Sequence, residues 1–314
     1  MASGNITFSL IIPVYGVEKY ISKCAETLFG QTYPYIQFVF VNDGTKDKSI
    51  EVLKALIDSR FPNVKERVVI VDKQNEGLPA ARKTGLSYAT GDYILHVDSD
   101  DWLELDAVER IAECAARTDA DMIYFSLVKE FGDRTRKTGD RTYSADTKLK
   151  FIKDIFNYKA HGYCWNKCTK RSVYLDNCIY FPKYGMHEDI FLMSQVIWYS
   201  KSIVHMKDAF LYHYRRDNPG SISVSATRNR RRDSAMNMMD LYSRYRDNIA
   251  DSPLQTSYSE ILFRTAWLSM RYGFGFFEKY DYLADDLKKI RPSLSNKTFF
   301  LWQLIVKLKV SFMG

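Results

Sequence analysis

Four short runs, Phe8-Ser-Leu-Ile-Ile-Pro-Val-Tyr15, Ile36-Gln-Phe-Val-Phe-Val-Asn-Asp43, Arg67-Val-Val-Ile-Val-Asp72 and Tyr93-Ile-Leu-His-Val-Asp98, are apolar almost without alternation, and each stops at a polar residue. A strand that is apolar on both faces has to be covered on both, which is the condition of a parallel sheet flanked by helices. Val17 to Phe29 and Ser49 to Ile57 carry helical patterns between the runs, so the order predicts right-handed βαβ units in an α/β fold. Ligands of such sheets bind outside the carboxyl ends of the strands. Tyr15, Asp43, Asp72 and Asp98 all fall there.

The fourth run passes without a turn into Asp98-Ser-Asp-Asp-Trp102. Carboxylates at the mouth of a buried strand repel one another and lose hydration, so an ion accounts for the cluster better than packing does. Oxygen ligands alone suit Mg²⁺ or Mn²⁺, which keep positions free for substrate phosphates. Asp101 and Asp106 are explained equally well as acids at the start of the following helix. Capping leaves Asp98 and Asp100 unexplained.

Between the third and fourth runs, Gln74-Asn-Glu-Gly-Leu-Pro-Ala-Ala-Arg-Lys-Thr-Gly85 suits a turn entering a helix whose amides could face an anion. It is neither Gly-x-Gly-x-x-Gly nor a Walker loop, which weighs against dinucleotide oxidoreductases and loop-type ATPases. Taken alone, Arg82 reads as a surface residue on a solvated helix face. Further on, Asp121–Val128 reads as a fifth strand, 129–144 as an exposed hairpin or loop, and 146–158 as a helix. Trp165 and Lys167 lie in an aromatic and basic stretch able to line an acceptor groove, although a lone Trp is usually core.

His187-Glu-Asp189 begins an apolar helix to Tyr199, but Phe191 stands where a metalloprotease helix needs its second His. The acidic pair is then a helix cap or a general base, and by spacing alone a cap suffices. Ser202–Met206 and Phe210–Tyr214 read as two short strands. They lead into Arg215-Arg-Asp-Asn-Pro-Gly-Ser-Ile-Ser223, a loop able to close over phosphate through Arg215 and Ser221.

From Arg228 the pattern is helical, with Met238, Tyr242, Tyr245 and Ile249 on one face of a first helix and Ser259–Phe277 forming a second. Residues 297–314 place Phe300, Leu301, Leu304, Ile305, Leu308 and Phe312 on one stripe, with Trp302 near its edge and Lys297, Lys307 and Lys309 to the side. That stripe suits an interfacial helix or a contact with protein, and three lysines make it a poor membrane span. Residues 201–314 carry 19 Lys and Arg against 11 Asp and Glu, while 1–200 carry 26 against 27. The basic partner surface therefore belongs to the C-terminal third. The five cysteines lack the second ligand pair of a zinc site and read as reduced, mostly buried thiols. No secretory signal precedes the first strand, so the expectation is a cytoplasmic protein.

Read together, Ile11-Ile-Pro-Val-Tyr15, Val41-Asn-Asp-Gly-Thr-Lys-Asp47, Asn75-x-Gly77 with Ala81-Arg82 and Gly85, Val97-Asp-Ser-Asp-Asp-Trp102, Trp165-Asn-Lys167, His187-Glu-Asp189 and Tyr212-x-Tyr-Arg215 followed by Gly220-Ser-Ile-Ser223 resemble glycosyltransferase family 2. These are the inverting GT-A enzymes of bacterial surface-polysaccharide synthesis, and the resemblance covers Phe8 to Ser223. It implies a GT-A domain, Rossmann-like with a mostly parallel sheet flanked by helices, over 1–224. A helical C-terminal region over 225–314, ending in a basic amphipathic helix, is read from physics alone.

By the same resemblance Pro13, Tyr15, Asp43, Arg82, Asp98 and Ser99 hold the nucleotide sugar, Asp100 binds Mn²⁺ or Mg²⁺ on its diphosphate, and Asp189 is the base. Trp165, Lys167, Glu188, Arg215 and Ser221 fall to the acceptor or phosphate loop. The implied partners are a nucleotide-sugar donor, most simply UDP-linked, and a saccharide or lipid-linked acceptor, with a second copy of the chain or the inner membrane face as contacts and no nucleic acid. Gly16 stands where the family commonly has Asn, and Lys83-Thr84 replace its usual Asn-x, which loosens the identity of the donor. The competing classes are a sugar-phosphate nucleotidyltransferase, which needs neither the Glu188-Asp189 pair nor the closing loop, and a non-catalytic nucleotide-sugar-binding subunit.

Overall fold

The structure, a computed structural model, describes residues 5–218, 220, 228–290 and 297–313. Ser221, expected in the phosphate loop, lies outside them. The first half alternates as its sequence requires: β1 (Phe8–Val14), α1 (Ile21–Phe29), β2 (Ile36–Asp43), α2 (Ser49–Arg60), β3 (Val68–Lys73), α3 (Leu78–Tyr88) and β4 (Tyr93–His96). There follow β5 (Trp102–Leu103), α4 (Ala107–Thr118), β6 (Met122–Phe131), β7 (Arg134–Thr138), α5 (Lys148–Phe156), β8 (Lys167–Lys170), α6 (Arg171–Asp176), α7 (Glu188–Tyr199) and β9 (Ile203–Arg215). The last third is helical: α8 (Arg228–Tyr245), α9 (Tyr258–Tyr272), α10 (Phe276–Lys279), α11 (Leu283–Lys289) and α12 (Lys297–Met313).

One sheet orders its strands β3-β2-β1-β4-β8-β6-β9-β5, with β7 hairpinned onto β6. The first four are parallel; β8 is antiparallel to both neighbours, and β6 and β9 are parallel. Every residue of β1 is buried, as its unbroken apolar run demands. Gly85 in α3 is fixed by close approach, because a Cβ there would sit 2.3 Å from Ile11 Cγ2.

Two expectations are corrected. The two strands expected at Ser202–Met206 and Phe210–Tyr214 are one, β9: Met206 pairs with Phe125 and Phe210 with Ser126, so Lys207–Ala209 form a bulge that interrupts the pattern without ending the strand. The helix expected to Phe277 stops at Tyr272, because Gly273 and Gly275 take φ values of 63° and 64° and break it before α10. The cysteines are free, and all but Cys178 are buried.

The helical third packs onto the sheet domain through α7 and α8, and α12 lies on α9 and α11. On α12, Gln303, Val306 and Val310 are buried, and Lys307 Nζ donates to the Ile290 carbonyl. Leu301, Leu304, Ile305, Leu308 and Phe312 face outward, Phe312 with 89% of its surface exposed. Among the described residues no helix is long and apolar enough to cross a membrane.

Candidate active site

A cavity of about 720 Å³ opens where the parallel strands end, between those ends and the start of α7. Pro13, Tyr15, Asp43, Asp98, Ser99 and Asp100 contribute its lining from the strand ends, and Tyr158, Tyr163, Trp165, His187, Glu188 and Asp189 contribute lining from the 158–165 segment and the start of α7. Asp72 does not reach it; its carboxylate accepts from Asn42 Nδ2 at 2.8 Å.

At the strand ends, Tyr15 leaves half its ring exposed. Asp43 holds the turn into α3, accepting from Lys73 Nζ at 2.8 Å and from the backbone N–H groups of Glu76 and Gly77 at 3.1 and 2.8 Å. Gly77 has φ 90°, so the turn this carboxylate organises is one that favours glycine. Arg82, expected on a solvated face, is instead 1% exposed. Its guanidinium donates to Asp98 at 2.7 Å and to Glu188, so one buried cation ties the end of β4 to the start of α7.

The three clustered aspartates have unlike surroundings. Asp101 is fully paired: Tyr212 Oη donates to it at 2.7 Å and the Arg215 N–H at 2.7 Å, so β9 rather than helix capping explains it. Asp98 is held by Arg82. Asp100 keeps one side-chain bond, from Asn218 Nδ2 at 2.8 Å, and burial beside Asp98 raises its carboxyl above the usual range. Among the described residues no three His, Cys, Asp or Glu side chains converge as a metal cage. A single carboxylate at a strand end fits a Mg²⁺-like ion that takes its remaining ligands from substrate phosphate and water.

Arg215 donates its Nε to the Asp100 carbonyl at 3.0 Å, and its guanidinium lies over the rings of Tyr20 and Trp102. Its neighbour Arg216 lines the cavity instead. Trp165 is buried between Tyr163 and Tyr212, stacked at 4.4 and 4.2 Å. Lys167 is wholly buried, with Nζ donating to the carbonyls of His161 and Tyr163 and to Asn166 Oδ1 at 2.8–2.9 Å. Its ammonium therefore fixes the 161–166 segment, and burial lowers its pKa to about 8.

The helix α7 begins at Glu188, after His187 in a left-handed backbone with φ 58°. Asp189 is half-buried, and the Ile190 N–H donates to its Oδ1 at 2.9 Å. Burial pushes its carboxyl up to about 6, against the opposing pull of Arg82 and Lys167. Burial raises Glu188 too, and its carboxyl is already engaged by Arg82. Asp189 is thus an acceptor lining the same cavity as Asp100, with a pKa near neutrality, as proton abstraction requires.

Sequence reasoning missed the support from the last third. Asn237 of α8, fully buried, accepts from the Tyr184 N–H at 3.1 Å and donates to the carbonyls of Tyr184 and Met186 at 2.7 and 3.1 Å. Ser234 Oγ lies 2.8 Å from His187 Nδ1. An Asn amid Met238, Met239 and Leu241 was the available signal, since a buried amide has to find partners.

A family model described as Glycosyl transferase family 2 matches residues 9–177. The putative glycosyltransferase EpsH of Bacillus subtilis (strain 168) is 35% identical over 216 residues, 66% of this chain and 60% of its own. This chain therefore spans less than two thirds of that relative's length. Among solved structures, S. aureus TarS 1-349 in complex with UDP-GlcNAc shares the fold at a TM-score of 0.66 and 18% identity, covering 97% of this chain and 81% of that one. The mannosyltransferase PcManGT from Pyrobaculum calidifontis in complex with GDP-Man and Mn2+ follows at 0.54 and 14%, over 99% and 89% of the two chains.

Proposed function

The chain belongs to glycosyl transferase family 2, and on that premise we propose that it moves a sugar from a nucleoside diphosphate to a hydroxyl of a saccharide or lipid-linked saccharide in surface-polysaccharide synthesis, with inversion. The observation that carries this reading is that Asp189 and Asp100 line one cavity at the carboxyl ends of the parallel strands. The UDP-GlcNAc complex of a protein of the same fold favours a uridine donor carrying a hexose or N-acetylhexosamine. The nucleotide lies along Pro13, Tyr15 and Asp43 toward Asp98 and Ser99, and the transferred sugar faces Asp189.

Asp189 takes the proton of the acceptor hydroxyl as its oxygen bonds the anomeric carbon. The bond from that carbon to the phosphate oxygen breaks on the opposite face, and its electron pair leaves with the diphosphate. One displacement inverts the centre, and no carboxylate nucleophile is needed. Asp100 would hold a Mn²⁺ or Mg²⁺ ion, which supplies charge neutralisation on the leaving diphosphate. Arg82 holds Glu188 and Asp98 in place, and Lys167 fixes the 161–166 segment that carries Trp165.

The outward stripe of α12, with Lys309 exposed beside it and no acidic residue in the helix, supports docking on the cytoplasmic face of an anionic membrane. Thermal shift with UDP, GDP and their sugars in the presence of Mn²⁺ tests the donor assignment, because ligand at about a hundred times its Kd adds roughly 2.7 kcal/mol. No shift with any nucleotide refutes it. Release of inorganic diphosphate from a nucleoside triphosphate and a sugar phosphate would favour the nucleotidyltransferase instead.

A further inference from the structure

Asp189 lines the cavity from the first turn of α7, so an acceptor hydroxyl that reaches it is seated beside the lining contributed there and by the 158–165 segment. Four non-glycine residues among those described have left-handed φ values, and two of them, Tyr158 at 56° and His187 at 58°, belong to this lining. L residues avoid that conformation, and it is kept where the surrounding structure enforces it. The Tyr158 and His187 rings lie 5.6 Å apart at 58°.

Both are anchored from the helical third. Arg264 of α9 donates its Nη2 to Tyr158 Oη at 2.8 Å, with its Cζ 5.0 Å from the ring centroid, and Ser234 of α8 engages His187 Nδ1. Burial and Arg264 lower the imidazole to about 4, so it is neutral near pH 7 and offers the cavity no charge. Even so held, Tyr158 leaves 52% of its surface exposed. Simple loop packing would have covered an apolar ring fixed at this conformational cost.

We infer that Tyr158, with His187 beside it, is the platform on which a pyranose ring of the acceptor stacks, held in position by Arg264 and Ser234. The match is chemical: a pyranose presents an apolar face of C–H groups and a rim of hydroxyls, and the cavity presents the Tyr158 ring with the His187 imidazole beside it. His187 is two residues before Asp189, so a sugar seated here brings a hydroxyl to the base. The inference rests on the glycosyltransferase reading and adds to it that the accepting unit is a sugar ring rather than a polyol phosphate.

The test is saturation-transfer NMR and calorimetry on the full chain with UDP and Mn²⁺, probed with the p-nitrophenyl β-pyranosides of glucose, galactose and N-acetylglucosamine and with glycerol 3-phosphate. The wild type should bind at least one pyranoside, with transfer strongest at ring C–H protons. Tyr158→Ala should weaken that binding roughly tenfold or more, and Tyr158→Phe by less than about threefold, with UDP affinity unchanged in both. UDP binding without pyranoside binding, a preference for glycerol 3-phosphate, or wild-type pyranoside affinity in Tyr158→Ala overturns the platform alone. Failure of the wild type to bind UDP or GDP overturns the parent reading and the platform with it.

Discussion

If Asp189 is the base, catalysis should switch off in acid at a place set by its burial. A solvent-exposed Asp ionises near 3.8, whereas burial lifts Asp189 to about 6. Only the carboxylate can take the acceptor proton, so activity is present above this pKa and lost as pH falls through it. The ionised fraction is about nine-tenths at pH 7 and about one-tenth at pH 5, which makes kcat/KM fall roughly tenfold over that interval. An unshifted Asp would change it by less than about a tenth. Unfolding cannot imitate the effect through this group: a carboxyl whose pKa is raised in the folded state contributes stability below its unfolded pKa and loses it as pH rises through the folded one. Acid therefore lowers turnover while favouring the fold at Asp189. The assay is the initial rate of nucleoside diphosphate release from pH 4.5 to 8 at constant ionic strength, with Asp189→Asn as control, itself about 10²–10⁴-fold slower. A flat profile between pH 7 and 5, or the same inflection in Asp189→Asn, refutes the assignment.

Asn237→Ala removes three hydrogen bonds from the 184–186 segment, each worth about 0.5–1.5 kcal/mol net. Turnover should drop by more than the melting temperature explains, and a stability loss with unchanged kcat and KM would make Asn237 merely structural. Asp100→Asn should leave the fold intact and weaken Mn²⁺ binding in the presence of nucleoside diphosphate by at least about tenfold, read by calorimetry; unchanged affinity removes Asp100 as the ligand. Gly85→Ala forces a Cβ into Ile11 and Val41 and should cost about 1–3 kcal/mol in denaturant titration, whereas a neutral result would mean α3 shifts freely on β1.

The parallel half was legible because burial on both faces leaves an unbroken apolar run, as in β1 and β2, and because the polar ends of such strands converge by topology. What escaped was set by long-range contacts. β8 has only Lys167–Lys170, a sequence with no apolar run, and it becomes a strand because β4 and β6 flank it. Lys207–Ala209 looked like a break between strands because a bulge and a turn share polar composition. In the site, the acids announced themselves by their position, but a bare arginine at 82 carries no sign of its two carboxylate partners. Tyr158 has no local signal of its role, since it and its anchor Arg264 lie 106 residues apart in sequence and meet only in the fold.

Arg82 also bears on how molecules enter and leave. A cleft with unlike walls invites the picture of two jaws swinging on a hinge, but here the jaws are pinned from inside, because separating β4 from α7 would strand a buried guanidinium or its carboxylates. Breaking such a pair costs about 3–5 kcal/mol, which limits any gaping form to roughly one molecule in 10²–10⁴. Traffic is therefore expected to pass along the rim between Tyr15 and Tyr158, with the walls still. A nucleotide that left only by gaping would exchange at a rate that rose when Arg82 was shortened to Lys.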